Sequence, residues 1–162
     1  MSDQKEILIV VDEDDNMLDY LPRSEVHKKK ILHRTISVTI FNNKGQVLLQ
    51  KRSMKMDSNP GKWSNAVGGH VSKGKSYEEA DEDEMREEIN ISAKPTFVKK
   101  MKINDPKHTT MTCLYRAVSN GPFKPKSDEI DEIGFFTKYE VFAMIDQLSE
   151  STKITLKEQG VL

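Results

Sequence analysis

Residues 68–91 read GGHVSKGKSYEEADEDEMREEINI and carry eight carboxylates between Glu78 and Glu88 against a single arginine, Arg86. Like charge at that density has three readings: a solvated helix face, a disordered acidic run, or a site that grips a cation. Ser76, followed three residues later by Glu79, is a capping box and predicts a helix from Tyr77 to Asn90. Tyr77, Ala80, Met85 and Ile89 give that helix apolar anchors, which argues against disorder. On a helix, Glu84, Glu87 and Glu88 share an arc of about 100°, and Arg86 points away from it. Glu84/Glu88 and Asp83/Glu87 are like charges at i,i+4, each costing roughly 0.2–0.5 kcal/mol in an isolated helix. They also lie in the last two turns, where the helix dipole disfavours negative charge. Something must neutralise them, and an oxygen-only cluster suits Mg²⁺ or Mn²⁺.

Outward from this segment the chain alternates strand and helix signals irregularly. ILIVV (7–11), an acidic turn and a return through Met17 and Leu18 predict an N-terminal hairpin over about 7–20. Pro22 precedes an expected helix over 24–30. RTISVTIF (34–41), the turn NNKG and QVLLQKR (46–52) form the clearest hairpin pattern in the chain. A loop around Asn59, Pro60 and Gly61 follows, and SNAVGGHV re-enters the sheet. Further strands are expected at about 96–103, 111–118 and 130–137, then helices at 138–148 and 152–159. This order predicts an α/β fold with a mixed sheet covered by helices, not a doubly wound parallel one.

The 162 residues are expected to form one domain, enough to bury roughly 70% of the unfolded surface. A net charge of −1 with 31% charged residues gives no field that argues for nucleic acid or membrane partners. Cys113 is the only cysteine, which excludes an intrachain disulfide and any multi-cysteine metal site. The polar N-terminus and the lack of an 18-residue apolar run make a reducing cytoplasm the expected compartment.

The order Gly68-Gly69, Gly74, then an acidic helix ending Glu84-Met85-Arg86-Glu87-Glu88-Ile89-Asn90-Ile91 resembles the Nudix box. That box reads G, five residues, E, seven residues, REU, one residue, EE, one residue, GU, with U aliphatic. Counted from Gly69, the chain matches at Gly69, Glu84, Met85, Glu87, Glu88 and Ile91. It departs at Lys75, Asp83 and Asn90, where the box has Glu, Arg and Gly. Asn tolerates the left-handed geometry that ends a helix. Lys75 and Asp83 look like a loop–helix brace with its charges exchanged. HRTISVTIFNNKGQVLLQKR, NPGKWSNAVGGH and SNGPFKPKSDEIDEIGFFTKYEV extend the resemblance to the isopentenyl-diphosphate-isomerase-like branch of the Nudix superfamily, over most of residues 1–148.

The resemblance implies a single Nudix α/β/α sandwich over 1–162, with the box at 69–91, and a small-molecule diphosphate as substrate. It implies Mg²⁺ or Mn²⁺ held by Glu84, Glu87 and Glu88 with a backbone carbonyl at Gly68 or Gly69. Glu84, Glu88 and a late-loop acid, Glu129, are the catalytic candidates, with Glu84 or Glu129 accepting the proton of the attacking water. Arg52 aligns with a phosphate-binding arginine, and a guanidinium suits phosphate; Lys51 and Lys55 are weaker forms of the same reading. His33 and His70 match metal-binding histidines of the isomerase and are read as ligands or substrate contacts, with His27 near a third. HKKK (27–30) reads otherwise as the wet side of a helix. Gly68 stands where the isomerase has its catalytic Cys, and Thr109 and Met111 align with its two glutamates. The isomerase thus loses its acid and base here, which favours a phosphoanhydride hydrolase over an isomerase or a silent binding module. A homodimer is compatible with all three.

Overall fold

The structure is a computed structural model and describes residues 5–162; the expectation of one domain over the whole chain lies outside it for the first four. The N-terminal hairpin forms as β1 (Ile7–Val11) and β2 (Met17–Pro22), followed by α1 (Arg23–Lys28). The long strands are β3 (His33–Phe41) and β4 (Val47–Arg52), then the short β5 (Trp63–Asn65) and β6 (Val67–His70). Helix α2 (Tyr77–Ile89) precedes β7 (Thr96–Asn104), β8 (Thr109–Val118) and β9 (Ile130–Phe136). Helix α3 (Lys138–Ala143), a 3-10 turn at Ile145–Gln147 and α4 (Glu150–Glu158) close the chain. The helix expected over 138–148 is thus two pieces, and Ser149 caps α4 earlier than its predicted start.

The capping box at Ser76 and Glu79 is formed in both directions. Asn90 ends α2 in the left-handed region at φ 56°, the role a glycine takes in the family's box. Ala80, Met85 and Ile89 pack on Ile36, Val38, Met111 and Cys113, which fixes the helix across one face of the sheet. Each fully buried side chain of that size contributes about 1.5–3 kcal/mol. On the other side Val141, Leu148 and Leu156 pack on Phe41, Val47 and Leu49. Helices on both faces of a mixed sheet are the expected sandwich.

The clearest hairpin of the sequence opens. β3 and β4 pair only at Phe41↔Val47 and then diverge. β3 runs parallel to β8 from His33 to Phe41 and antiparallel to β6 over Thr35–Val38. β4 instead pairs with β9 and β5. Both strands are mostly buried, β3 from Val38 to Phe41 and β4 from Val47 to Gln50 without a break, so the backbone groups of each need partners along both edges. Residues 63–70 fill the opening, β5 against β4 and β6 against β3, and Gln50 Nε2 donates to the Ala66 carbonyl between them at 2.9 Å. The site lies in this opening.

Candidate active site

A cavity of about 630 Å³ opens where β3 and β4 part, bounded by α1, α2, the start of α4 and the inner ends of β6 and β8. At one end stand the acids of α2. Glu88 is 8% exposed, and its Oε2 accepts the Gly68 amide at 3.0 Å. Glu84 leans on Gly69 so closely that a Cβ at position 69 would sit 2.6 Å from its carboxyl carbon. This is why the strand needs a glycine there: any side chain would displace the carboxylate. Glu87, exposed on the next turn, lines the same cavity, but among the described residues the three acids do not close into one cluster of ligand atoms; that closeness is reached by His27, His33 and His70.

Burial, then Glu88 and Glu87, push Glu84 up to about 9. Glu88 is pushed up to about 8, again by burial first, with Glu129 adding to it and the Gly68 amide and Arg52 opposing it. Two carboxylates forced together out of water hold a proton unless a cation replaces it. The donor set therefore fits a hard divalent ion: carboxylate oxygens only, with one face open to a cavity large enough for a diphosphate.

The outer face of α2 is neutralised differently. Asp83 accepts hydrogen bonds from Lys75 and Arg86, so the charge-exchanged pair meets as an ion pair joining loop to helix.

Arg52 lines the cavity beside Glu88 and is held by Ser58, through Nε to the carbonyl and Nη2 to Oγ at 2.8 and 3.0 Å. Glu129 also lines it and accepts from Lys126 at 3.0 Å. Lys51 does not line it: on a strand, alternate side chains point to opposite faces, and Gln50 and Arg52 take the cavity side. The expectation of Lys51 as a substrate contact is corrected on that ground. Lys55 is likewise absent from the cavity wall, and Trp63 packs edge-on against Phe136, as a packing residue should.

The other end of the cavity is built of histidines. One ring nitrogen from each of His27, His33 and His70 lies within 4.8 Å of the others. His33 Nδ1 is 2.8 Å from the Ile31 carbonyl and donates to it, which leaves Nε2 as the lone-pair nitrogen, buried and without a partner among the described residues. Burial and His70 bring His33 down to about 4; burial, then His70 and His108, bring His27 down to about 3. Neutral imidazoles in a cluster are the protonation state that a borderline metal such as Zn²⁺ requires. His27 thus leaves the wet side of its helix for the cavity. Sequence reasoning missed His108, whose ring lies 4.6 Å from that of His27, and Glu6, 3.2 Å from His70 Nδ1. Neither sits in a spacing motif, and only chain folding brings them in.

At the isomerase positions the side chains are wrong for carbon acid–base chemistry. Gly68 offers no thiol. Met111 is in the core, and the β8 side chains on the cavity are Thr110 and Thr112, not Thr109 and Met111; none is an acid. Cys113 is buried on the opposite side of the sheet, its thiol pushed up to about 12.

A family model for the NUDIX domain matches residues 31–157, and the chain belongs to the Nudix family. It is a Nudix-type pyrophosphohydrolase, a class that acts on small-molecule diphosphates and generally uses divalent metal ions. A Nudix hydrolase of Pseudomonas aeruginosa is 30% identical over 131 residues, 80% of this chain and 78% of that protein. One of Yersinia pestis is 28% identical over 86% of this chain and 78% of its own length. An isopentenyl-diphosphate delta-isomerase of Photorhabdus laumondii is 38% identical, but over only 53% of this chain and 49% of its own length. Among solved structures, a Deinococcus radiodurans protein superposes with a TM-score of 0.80 at 21% identity, covering 94% of this chain and 98% of that one. The Nudix domain of Shewanella oneidensis NrtR, solved with ADP ribose, superposes with a TM-score of 0.64 at 14% identity, covering 86% and 97%. No helix among the described residues is long and apolar enough to cross a membrane.

Proposed function

We propose that the chain hydrolyses the phosphoanhydride of a small diphosphate in a Mg²⁺- or Mn²⁺-dependent reaction centred on Glu84, Glu87 and Glu88. The observation that carries this reading is the pair of carboxylates, half-buried Glu84 and buried Glu88, crowded together on the wall of a cavity and seated by Gly69 and Gly68. These residues, with a carbonyl of Gly68 or Gly69, would hold the ion, which when bound neutralises diphosphate charge and polarises the phosphorus centre. The Gly68 amide fixes the rotamer of Glu88, and Arg52, braced by Ser58, meets phosphate oxygens. In the reaction the water oxygen forms the new P–O bond, and the bridging P–O bond breaks with its electrons leaving on the departing phosphate. Glu84 or Glu129 takes the water's proton.

The histidine cluster supports a second reading, an isomerase-type enzyme with its own metal at His27, His33 and His70. The absence of a thiol at Gly68 and of an acid at Thr110 or Thr112 weighs against it. A panel of ADP-ribose, nucleoside diphosphates, sugar diphosphates and isopentenyl diphosphate, assayed with Mg²⁺ and Mn²⁺, separates the two. Phosphate or monophosphate release that falls at least ~100-fold in Glu88→Gln supports the hydrolase. Conversion of isopentenyl to dimethylallyl diphosphate with no phosphate released would overturn it.

A further inference from the structure

Between the carboxylate end and α4 one stretch of the cavity wall, its hydroxyl arm, is lined by Ser and Thr side chains. Its centre is Asn65, 6% exposed, which ties three elements together. Asn65 Nδ2 donates to Ser37 Oγ on β3 at 3.0 Å and to Thr155 Oγ1 on α4 at 2.6 Å. Its backbone amide donates to Thr152 Oγ1 at 3.2 Å, and Ser149 Oγ donates to the same oxygen at 2.7 Å. Ser37, Ser149, Thr152 and Thr155 all line the cavity, and Ser37 lies directly across the strand pair from Gly68, whose amide holds Glu88. The arm therefore adjoins the acids.

Counting donors shows what the arm offers. A hydroxyl has one proton to give and two lone pairs. Thr155 spends its proton on the Thr152 carbonyl at 3.1 Å. Thr152 accepts twice and Ser37 accepts from Asn65, so among the described residues each keeps its own proton for a ligand. Among the described residues no Phe, Tyr or Trp lines the cavity, and its apolar side chains are Ile36, Met56, Val67 and Ile103. An aliphatic chain placed here would bury Ser37 and Thr152 with nothing to bond to, whereas the hydroxyl and ring oxygens of a sugar would satisfy them.

We infer that the Asn65–Ser37–Thr152 arm is a specificity subsite that selects diphosphates of a hydroxylated, sugar-like group and rejects prenyl diphosphates. This rests on the hydrolase reading and names its substrate class. Ser37 and Thr152 touch the substrate; Asn65 is a positioning residue that acts through them.

The test compares two probes with the same diphosphate and different organic ends, ribose 5-diphosphate and isopentenyl diphosphate. With Mg²⁺, kcat/KM is expected to favour the ribose compound at least ~100-fold, because a site built to bond hydroxyls discriminates strongly against an analogue lacking them. Thr152→Val and Ser37→Ala are each expected to shrink that ratio about tenfold. The ratio is insensitive to a fall in folded fraction, since both probes see the same enzyme. A ratio near one, a preference for isopentenyl diphosphate, or a ratio unmoved in both variants overturns the subsite. If neither probe is hydrolysed, the hydrolase reading is judged by the wider diphosphate panel and not by these two probes. Calorimetric binding of the two probes to wild type and Thr152→Val then decides the subsite by the same ratio.

Discussion

Helix α2 buries two acids two turns apart, Asp81 and Glu88, and they have opposite surroundings. Glu88 accepts the Gly68 amide, faces Arg52 and opens on the cavity. Asp81 is fully buried, and among the described residues neither of its oxygens has a hydrogen-bond partner. Burial, then Glu82 and Glu78, push it up to about 7. A raised carboxyl is therefore not by itself a sign of chemistry. What marks Glu88 is the amide that orients it, the second acid beside it and the space in front. Asp81 has only the cost.

The contrast can be broken most severely at the seat of the functional acids. Gly69→Ala puts a methyl where the Glu84 carboxyl sits, so activity is expected to fall roughly 10–100-fold, as small misplacements in catalytic sites do. The clashing atoms are the end of a flexible side chain, so the melting temperature should move by only a few degrees. Unchanged turnover in steady-state assays would show that Glu84 need not stand there.

At Asp81 the effect is expected in stability rather than turnover. Its folded pKa is raised above the unfolded value near 3.8, so only well below pH 3.8 are both states protonated and nothing is lost. As pH rises through 3.8 to about 7 the unfolded chain ionises first, and native stability declines. Asp81→Asn removes that decline. The variant should match wild type at ~pH 3 and exceed it by about 2 kcal/mol at ~pH 8, after discounting for relaxation around the charge. Parallel denaturation curves at the two pH values with equal differences would refute the assignment.

The smallest effect belongs to the exposed face. Lys75→Glu and Asp83→Arg should each cost about 0.5–1 kcal/mol, and the double variant should recover part of it. Recovery stays partial because Arg86 also pairs with Asp83 and would then face an arginine. A double variant no better than the sum of the singles would show that the pair braces nothing.

Much of α2 is legible in the amino-acid order. The capping box, the left-handed Asn90 and the shared arc of Glu84, Glu87 and Glu88 follow from rules that act over three or four residues. The placement of Lys51 yields to the same kind of rule, since a two-residue period puts it opposite Gln50 and Arg52. The opening of β3 from β4 is not legible. An Asn/Gly turn between two apolar strands specifies a hairpin locally, and only the competition of β8, β6, β9 and β5 for those edges decides that it parts after one pair.

By itself the sequence determined the helices, the strand positions and the acidic face, because capping, turn chemistry and hydrophobic period are interactions between near neighbours in the chain. Tertiary structure alone decided that Glu6 and His108 join His27 and His70, that Asn65 gathers hydroxyls from β3 and α4, and that Asp81 is sealed while Glu88 is not. Those contacts join segments tens of residues apart through strand pairing and helix docking, whose partners are chosen by the whole core at once.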